Sequence, residues 1–166
     1  MVGKKKLALI LSGLLVMTGL MSCSSNNSSE KGENATKASE STNEDGKTYT
    51  IGINQLVQHD ALDASREGFI EGLKEKGFEE GKNLKINYQN AQGDMAIAKT
   101  ISDQFVTSNV DLIFAIATSS LQASYNSTKD IPIVFTAVTD PIDAGVAKSW
   151  ESSGTNVTGT SDMVSM

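Results

Sequence analysis

From residue 49 onward the chain alternates between short apolar runs and longer amphipathic segments. The short runs, many of them β-branched, predict four strands at residues 49–53, 84–88, 112–116 and 131–135. Apolar residues at helical spacing predict three helices at residues 61–76, 94–106 and 119–127. Asp60 and Asp94 occupy N-cap positions, and Gly77 follows the first helix where a left-handed residue is favoured. Strand and helix alternation of this kind predicts an α/β fold with a doubly wound parallel sheet.

In such a sheet, ligands bind at the carboxyl ends of the strands, near the point where the strand order reverses. Polar residues follow three of the predicted strands, namely Asn54, Gln58 and His59, then Thr118 and Ser119, and finally Asp140. These hydroxyl, amide and lightly charged side chains favour a small polar or zwitterionic ligand over a phosphate group. A helix starting at Thr118 also presents free N–H groups to a carboxylate.

Each of these candidates has a purely structural alternative. His59, beside Asp60 and before a helix, could be a turn residue. Thr118 and Ser119 could be N-caps of the following helix, and Asp140 before a proline could start a turn.

Several other residues are predicted to be structural. Asp63 lies in the first turn of a helix, where it complements the helix dipole. Arg66, the only arginine, is expected to be a solvated helix residue rather than an anion clamp. Three phenylalanines are expected to pack in the core, Phe69, Phe105 and Phe114.

Composition excludes several classes of function. The 166 residues are 39% hydrophobic and carry a net charge of −6, with no basic stripe, so nucleic-acid binding is not expected. One cysteine and one histidine predict no disulfide, no metal site and no cofactor. Glycine-rich phosphate loops and a nucleophile elbow are missing from the sequence, so we expect no enzyme. A hydrolase using Asp140 or Asp162 is the open alternative.

The amino-terminal region predicts targeting to a membrane. Residues 1–22 begin with three lysines and continue with an apolar stretch, which is typical of a secretory signal peptide. The sequence Leu-Met-Ser-Cys at residues 20–23 resembles the bacterial lipobox, in which the cysteine is lipid-modified. Cys23 is therefore predicted to be a lipid anchor; an ordinary leader or an uncleaved anchor helix is the alternative. Residues 23–47, with their Gly, Ser and Asn content, predict a disordered linker to a folded region at residues 48–166.

Several motifs of the folded region resemble a known family. They are INQLVQHDALDA (53–64), GFIEGL (68–73), YQNAQGD (88–94), DLIFAIAT (111–118), IPIVFTAVTDP (131–141) and NVTGTSD (156–162). In order and spacing they resemble the solute-binding lipoproteins of bacterial ABC transporters, the family that includes TrpX-like proteins. The loop at residues 58–61 reads Gln-His-Asp-Ala, where relatives often have Glu-His-Pro-Ala.

The resemblance implies the first lobe of a type I periplasmic-binding-protein-like fold, truncated at the first interlobe crossing, with the second lobe missing. It implies ligand contacts at Asn54, Gln58, His59, Thr118, Ser119 and Asp140. Ser161 and Asp162, which it places at that crossing, are also expected to contact the ligand. A single lobe lacks half of the cleft walls, so weak ligand binding is expected from it alone.

The same resemblance implies the function of the parent protein. That function is a lipid-anchored solute receptor on the extracytoplasmic face of the bacterial cell membrane. Its solute would be an amino acid, with aromatic ones favoured, and its partners an ABC permease and ATPase. The alternative is a surface sensory or enzymatic lipoprotein on the same scaffold.

Overall fold

The computed structural model describes residues 46–162. The predicted signal peptide, the predicted lipidation site Cys23 and nearly all of the predicted linker lie outside these residues. The elements are β1 (Tyr49–Gln55), α1 (Asp60–Glu75), β2 (Leu84–Asn90), α2 (Met95–Thr107), β3 (Leu112–Ile116), α3 (Thr118–Ser127), β4 (Ile133–Val138) and β5 (Val157–Ser161). Among the described helices, none combines the length and the hydropathy needed to cross a membrane.

The five strands form one parallel sheet in the order β2-β1-β3-β4-β5. Helix α1 packs on one face of this sheet, and α2 and α3 pack on the other. The chain moves outward from β1 to β2 and then returns to β3 on the other side of β1, so the strand order reverses between β1 and β3. The predicted doubly wound α/β fold is confirmed.

Side chains of β1 alternate between the two faces, as the period of a strand requires. Ile51 and Ile53 face α1, whereas Gly52 faces α2 and lies against the ring of Phe105. Phe105 is fully buried, and Phe69 of α1 stacks on Phe114 of β3 with ring centroids 3.9 Å apart. The predicted core positions of these three phenylalanines are confirmed.

The structure corrects several features of the predicted elements, including the end of β2 at Asn90 and the start of α3 at Thr118. Strand β1 continues through Asn54 and Gln55, because both amides find hydrogen-bond partners in the interior. The N-cap of α1 is His59, whose Nδ1 accepts a hydrogen bond from the Ala61 N–H, and Asp60 is the first helical residue. Strand β4 begins and ends later than predicted, at Ile133–Val138.

A fifth strand, Val157–Ser161, was not predicted. Only its first residue is buried, so it lacks the apolar pattern of the other strands. It pairs with β4 at the edge of the sheet, where Gly159 lets the backbone of β5 lie close to Phe135 of β4. A Cβ atom at Gly159 would lie 2.2 Å from the carbonyl oxygen of Phe135.

An ion pair lies at the amino edge of the sheet, beside the start of β1. The Asp111 carboxylate accepts a hydrogen bond from the Thr50 N–H at 2.8 Å and pairs with Lys47 at 3.0 Å. The backbone hydrogen bond and then the lysine hold the pKa of Asp111 below its usual range. Asp111 therefore stabilises the folded state while it is ionised.

We expect Asp111→Asn to lower the free energy of unfolding by about 1 kcal/mol at neutral pH. Because the folded pKa is depressed, the contribution of Asp111 is complete above the unfolded pKa of about 4. It is lost as the pH falls through the lower folded pKa. Urea unfolding of wild type and variant between pH 7 and pH 3 measures the difference, which should shrink on acidification. A difference that stays constant with pH would contradict this account.

Candidate functional site

The candidate site lies at the carboxyl edge of the sheet, where the loops after β1, β3 and β4 meet the end of β5. Backbone hydrogen bonds join the starts of the loops after β1 and β3 to the neighbouring strand. The Leu56 N–H donates to the Ile116 carbonyl at 3.3 Å, and the Ala117 N–H donates to the Thr136 carbonyl at 3.1 Å. These bonds bring together the chain segments that carry the predicted ligand contacts.

Asn54 lies just below this edge and is fully buried. Its Nδ2 donates to the Ala98 carbonyl and to Ser102 Oγ, each at 2.9 Å, and its Oδ1 accepts from Ser120 Oγ at 3.3 Å. Ser102 in turn bonds to Ser124 at 3.0 Å. The structure thus places Asn54 in an interior network that links β1 to α2 and α3. Its direct contact with a ligand stays a prediction.

The amino terminus of α3 faces the carboxyl edge beside β1 and β4. Its N-cap is Ala117, with φ of 84°, and no side chain accepts a hydrogen bond at this helix end. The alternative role of Thr118 and Ser119 as N-caps is therefore wrong, since both are the first helical residues. Both side chains are half-buried. The backbone N–H groups of this first turn have no acceptor within the helix, so this end favours an anionic group.

The loop after β1 carries the two neighbouring candidates Gln58 and His59, which are both exposed. His59 uses Nδ1 to cap α1, as described above, so the structure confirms its local role at the helix start. Gln58 lies in an open concavity with Asp63, Arg66 and Tyr88.

Asp140 starts the turn that follows β4. Its Oδ1 accepts hydrogen bonds from the Ile142 N–H at 2.7 Å and the Asp143 N–H at 3.1 Å. The role of Asp140 as a turn starter is therefore confirmed. Its contact with a ligand ammonium group stays a prediction.

Ser161 and Asp162 lie at the end of β5, beside the loop after β4. Ser161 Oγ donates to the Thr139 carbonyl at 2.6 Å, and the Asp162 N–H donates to the Val138 carbonyl at 3.2 Å. Ser161 also lines a cavity of about 400 Å³ next to the half-exposed Trp150.

A concavity of about 620 Å³ on the β1–β2 side contains residues that the sequence did not single out as a site. Arg66 Nη1 donates to Gln55 Oε1 at 3.0 Å and to Asp63 Oδ1 at 2.9 Å. Its guanidinium lies 4.5 Å from the centroid of the Tyr88 ring, and only 18% of its side chain is exposed. The expectation that Arg66 is a solvated helix residue is therefore wrong. The three-residue spacing of Asp63 and Arg66 on one helix was the signal that could have revealed the pair.

The structure gathers the predicted residues at one edge but divides them between different surfaces. Gln58 lines the larger concavity and Ser161 lines the smaller one, and neither is lined by Thr118, Ser119 or Asp140. Within residues 46–162, no group of three or more His, Asp or Glu side chains is arranged to hold a metal ion. The arrangement offers hydroxyl groups, amides and a free helix end for reversible binding of a small polar molecule.

Comparisons with known proteins identify the scaffold. Residues 50–166 match the family of ABC transporter substrate-binding proteins. A tyrosine-binding protein of Clostridioides difficile (strain R20291) is 49% identical over 163 residues, which are 98% of this chain and 46% of that protein. The chain thus spans about half the length of this curated relative.

Two solved structures are similar to the chain. A ligand-free, open substrate-binding protein with adhesive properties from Clostridium difficile is 54% identical, with a TM-score of 0.70, over 71% of this chain and 40% of that one. An ABC domain from Streptococcus pneumoniae in complex with L-Trp is 38% identical, with a TM-score of 0.68, over 70% of this chain and 39% of that one. The fold predicted from the resemblance, a lobe of a periplasmic-binding-protein-like domain, is confirmed. The chain belongs to the family of ABC transporter substrate-binding proteins.

Proposed function

We propose that this chain forms one wall of an amino-acid-binding cleft, in a solute receptor that serves an ABC importer. An aromatic amino acid is the favoured solute. The observation that carries the proposal is the uncapped amino terminus of α3, with Thr118 and Ser119 in its first turn, at the edge where the strand order reverses. Free N–H groups and two hydroxyls suit the carboxylate of an amino acid.

The relatives support an amino acid over other small polar solutes. The similar protein from Clostridioides difficile is named for tyrosine binding, and the similar pneumococcal structure holds L-Trp. Asp140 keeps Oδ2 outside its turn hydrogen bonds, so this oxygen is available to a ligand ammonium group. Gln58 and His59, from the loop after β1, complete the proposed wall.

The proposal includes attachment to the extracytoplasmic face of the cell membrane through lipid on Cys23, and delivery of the solute to a permease and its ATPase. The lipobox-like sequence at residues 20–23 and the family membership support this part. In bacteria expressing the chain, radioactive palmitate should label the wild type and leave Cys23→Ala unlabelled. Equal labelling of both proteins would contradict the lipid anchor.

Binding is tested by thermal unfolding of the chain without residues 1–23 in the presence of L-tyrosine, L-tryptophan or L-phenylalanine. A one-sided site leaves the ligand half exposed, so we expect Kd in about the millimolar range. The gain in unfolding free energy should grow with the logarithm of ligand concentration, reaching about 1.4 kcal/mol at ten times Kd.

Ser119→Ala should weaken this stabilisation. Ser65→Ala, which removes a serine hydroxyl that bonds to the Ala61 carbonyl of α1, should leave it unchanged. D-Tyrosine serves as the control for stereospecific recognition of the carboxylate and ammonium groups. If none of the three L-amino acids stabilises the chain, or if D- and L-tyrosine act equally, the proposed amino-acid wall is wrong.

A further inference from the structure

Gln55 connects the sheet to the loop that carries Gln58 and His59. It is the last residue of β1, is fully buried, and faces α1 because the side chains of β1 alternate. Its Nε2 donates to the Val57 carbonyl at 2.9 Å and to Asp63 Oδ1 at 2.8 Å. The Val57 carbonyl belongs to the peptide group that joins Val57 to Gln58, so this hydrogen bond fixes the plane from which Gln58 projects.

Arg66 holds the other end of the same amide. Its Nη1 bridges Gln55 Oε1 and Asp63 Oδ1, so each heavy polar atom of the Gln55 amide has a partner. The guanidinium also covers the Tyr88 ring of β2. Gln55, Asp63, Arg66 and Tyr88 are called here the Gln55 cluster.

The charges of the cluster argue against direct capture of an anion by Arg66. Asp63 lies 2.9 Å from the guanidinium and Glu67 lies 3.4 Å from it, so two carboxylates face one cation. Both hydrogen bonds of Nη1 are made to side chains of the protein, Gln55 and Asp63. These contacts indicate that Arg66 orients the side chain of Gln55.

We infer that Asp63 and Arg66 are positioning residues, which lock the Gln55 amide and thereby set the orientation of the loop carrying Gln58 and His59. Their effect on amino-acid binding rests on the proposed function, whereas their effect on the loop does not. A lysine at position 66 keeps the positive charge but cannot reproduce the fixed geometry of the guanidinium. It should rescue the role of Arg66 only in part.

The first readout is hydrogen exchange of the Gln55 side-chain amide, followed by nuclear magnetic resonance. In wild type both Nε2 protons should exchange slowly, because they are buried and both are hydrogen-bonded. Arg66→Ala and Asp63→Asn should accelerate this exchange by about tenfold or more, as expected for loss of a hydrogen bond to a charged group. Arg66→Lys should give an intermediate rate.

The matched control is Lys82→Ala, which breaks another (i, i+3) ion pair, with Glu79, away from the cluster. It should leave the exchange of the Gln55 amide unchanged. The second readout is the Kd for L-tyrosine. This Kd should rise about tenfold in Arg66→Ala and less in Arg66→Lys. Across the variants, Kd should follow the exchange rate of the Gln55 amide and should not follow Tm.

Unchanged exchange in Arg66→Ala would overturn the inference. Accelerated exchange with an unaltered Kd would overturn the predicted effect on amino-acid binding, because the loop orientation would then be irrelevant to binding. If wild type binds no amino acid while Arg66→Ala still accelerates exchange, the proposed function is wrong and the positioning of the loop by Arg66 is supported.

Discussion

Asn54→Asp is expected to lower the free energy of unfolding by about 3 kcal/mol or more at pH 7, because it places an uncompensated charge in the interior. The amide of Asn54 donates two hydrogen bonds, to the Ala98 carbonyl and to Ser102. An ionised aspartate of the same shape cannot donate, so its oxygen would face the Ala98 carbonyl without a proton between them. Burial and this repulsion should raise the pKa of the introduced carboxyl.

A raised folded pKa fixes the sign of the pH dependence. The penalty of Asn54→Asp should be greatest well above the folded pKa of the new carboxyl and should shrink as the pH falls through that value, because the protonated acid can donate. Urea unfolding of wild type and variant at several pH values measures the difference. Asn109→Asp makes the same change at an exposed residue and should stay within about 0.5 kcal/mol of wild type. Equal penalties at both positions would refute the buried network.

Phe105→Ala is expected to cost about 3–5 kcal/mol of unfolding free energy, the usual range for truncating a fully buried phenylalanine. The ring lies between α2 and the sheet, directly against Gly52 of β1. Removing it leaves a cavity where the helix meets the central strands. Chemical unfolding with a fixed m-value measures the loss.

Gly52 provides a second and sharper test of that contact. A Cβ atom at Gly52 would lie 2.6 Å from the Phe105 ring, so Gly52→Ala should destabilise the wild type by about 1–3 kcal/mol. In the Phe105→Ala background the same substitution should cost much less, because the new methyl group enters the vacated space. Additive effects of the two substitutions would show that the ring contact is not the cause.

Much of the fold could be predicted because burial imposes a period on the sequence. The continuously apolar strand β3 and the alternating edge strand β2 were recognisable from their patterns, and Asp94 does cap α2. Strand β5 could not be recognised in this way, because an edge strand with one buried residue carries almost no hydrophobic signal.

The candidate site was only partly predictable. The rule that ligands bind at carboxyl ends of strands selected loops that the structure places at one edge of the sheet. It could not tell which polar side chains turn inward. Asn54 and Gln55 are chain neighbours with similar amides, yet alternation sends them to opposite faces of the sheet and into separate networks. Their partners Ser102 and Arg66 are 48 and 11 residues away along the chain. No pattern in the sequence links either partner to its amide, so only the packed structure reveals these contacts.

The two ends of β1 meet different surroundings. Lys47 and Asp111 close the end where the chain joins the sheet, and the candidate cleft wall lies at the other end, seven residues and about 20 Å away. The edge of the sheet where the chain enters β1 is therefore separate from the edge that is proposed to bind a solute. Substitutions at Lys47 or Asp111 can therefore be made without changing the residues proposed to contact a solute.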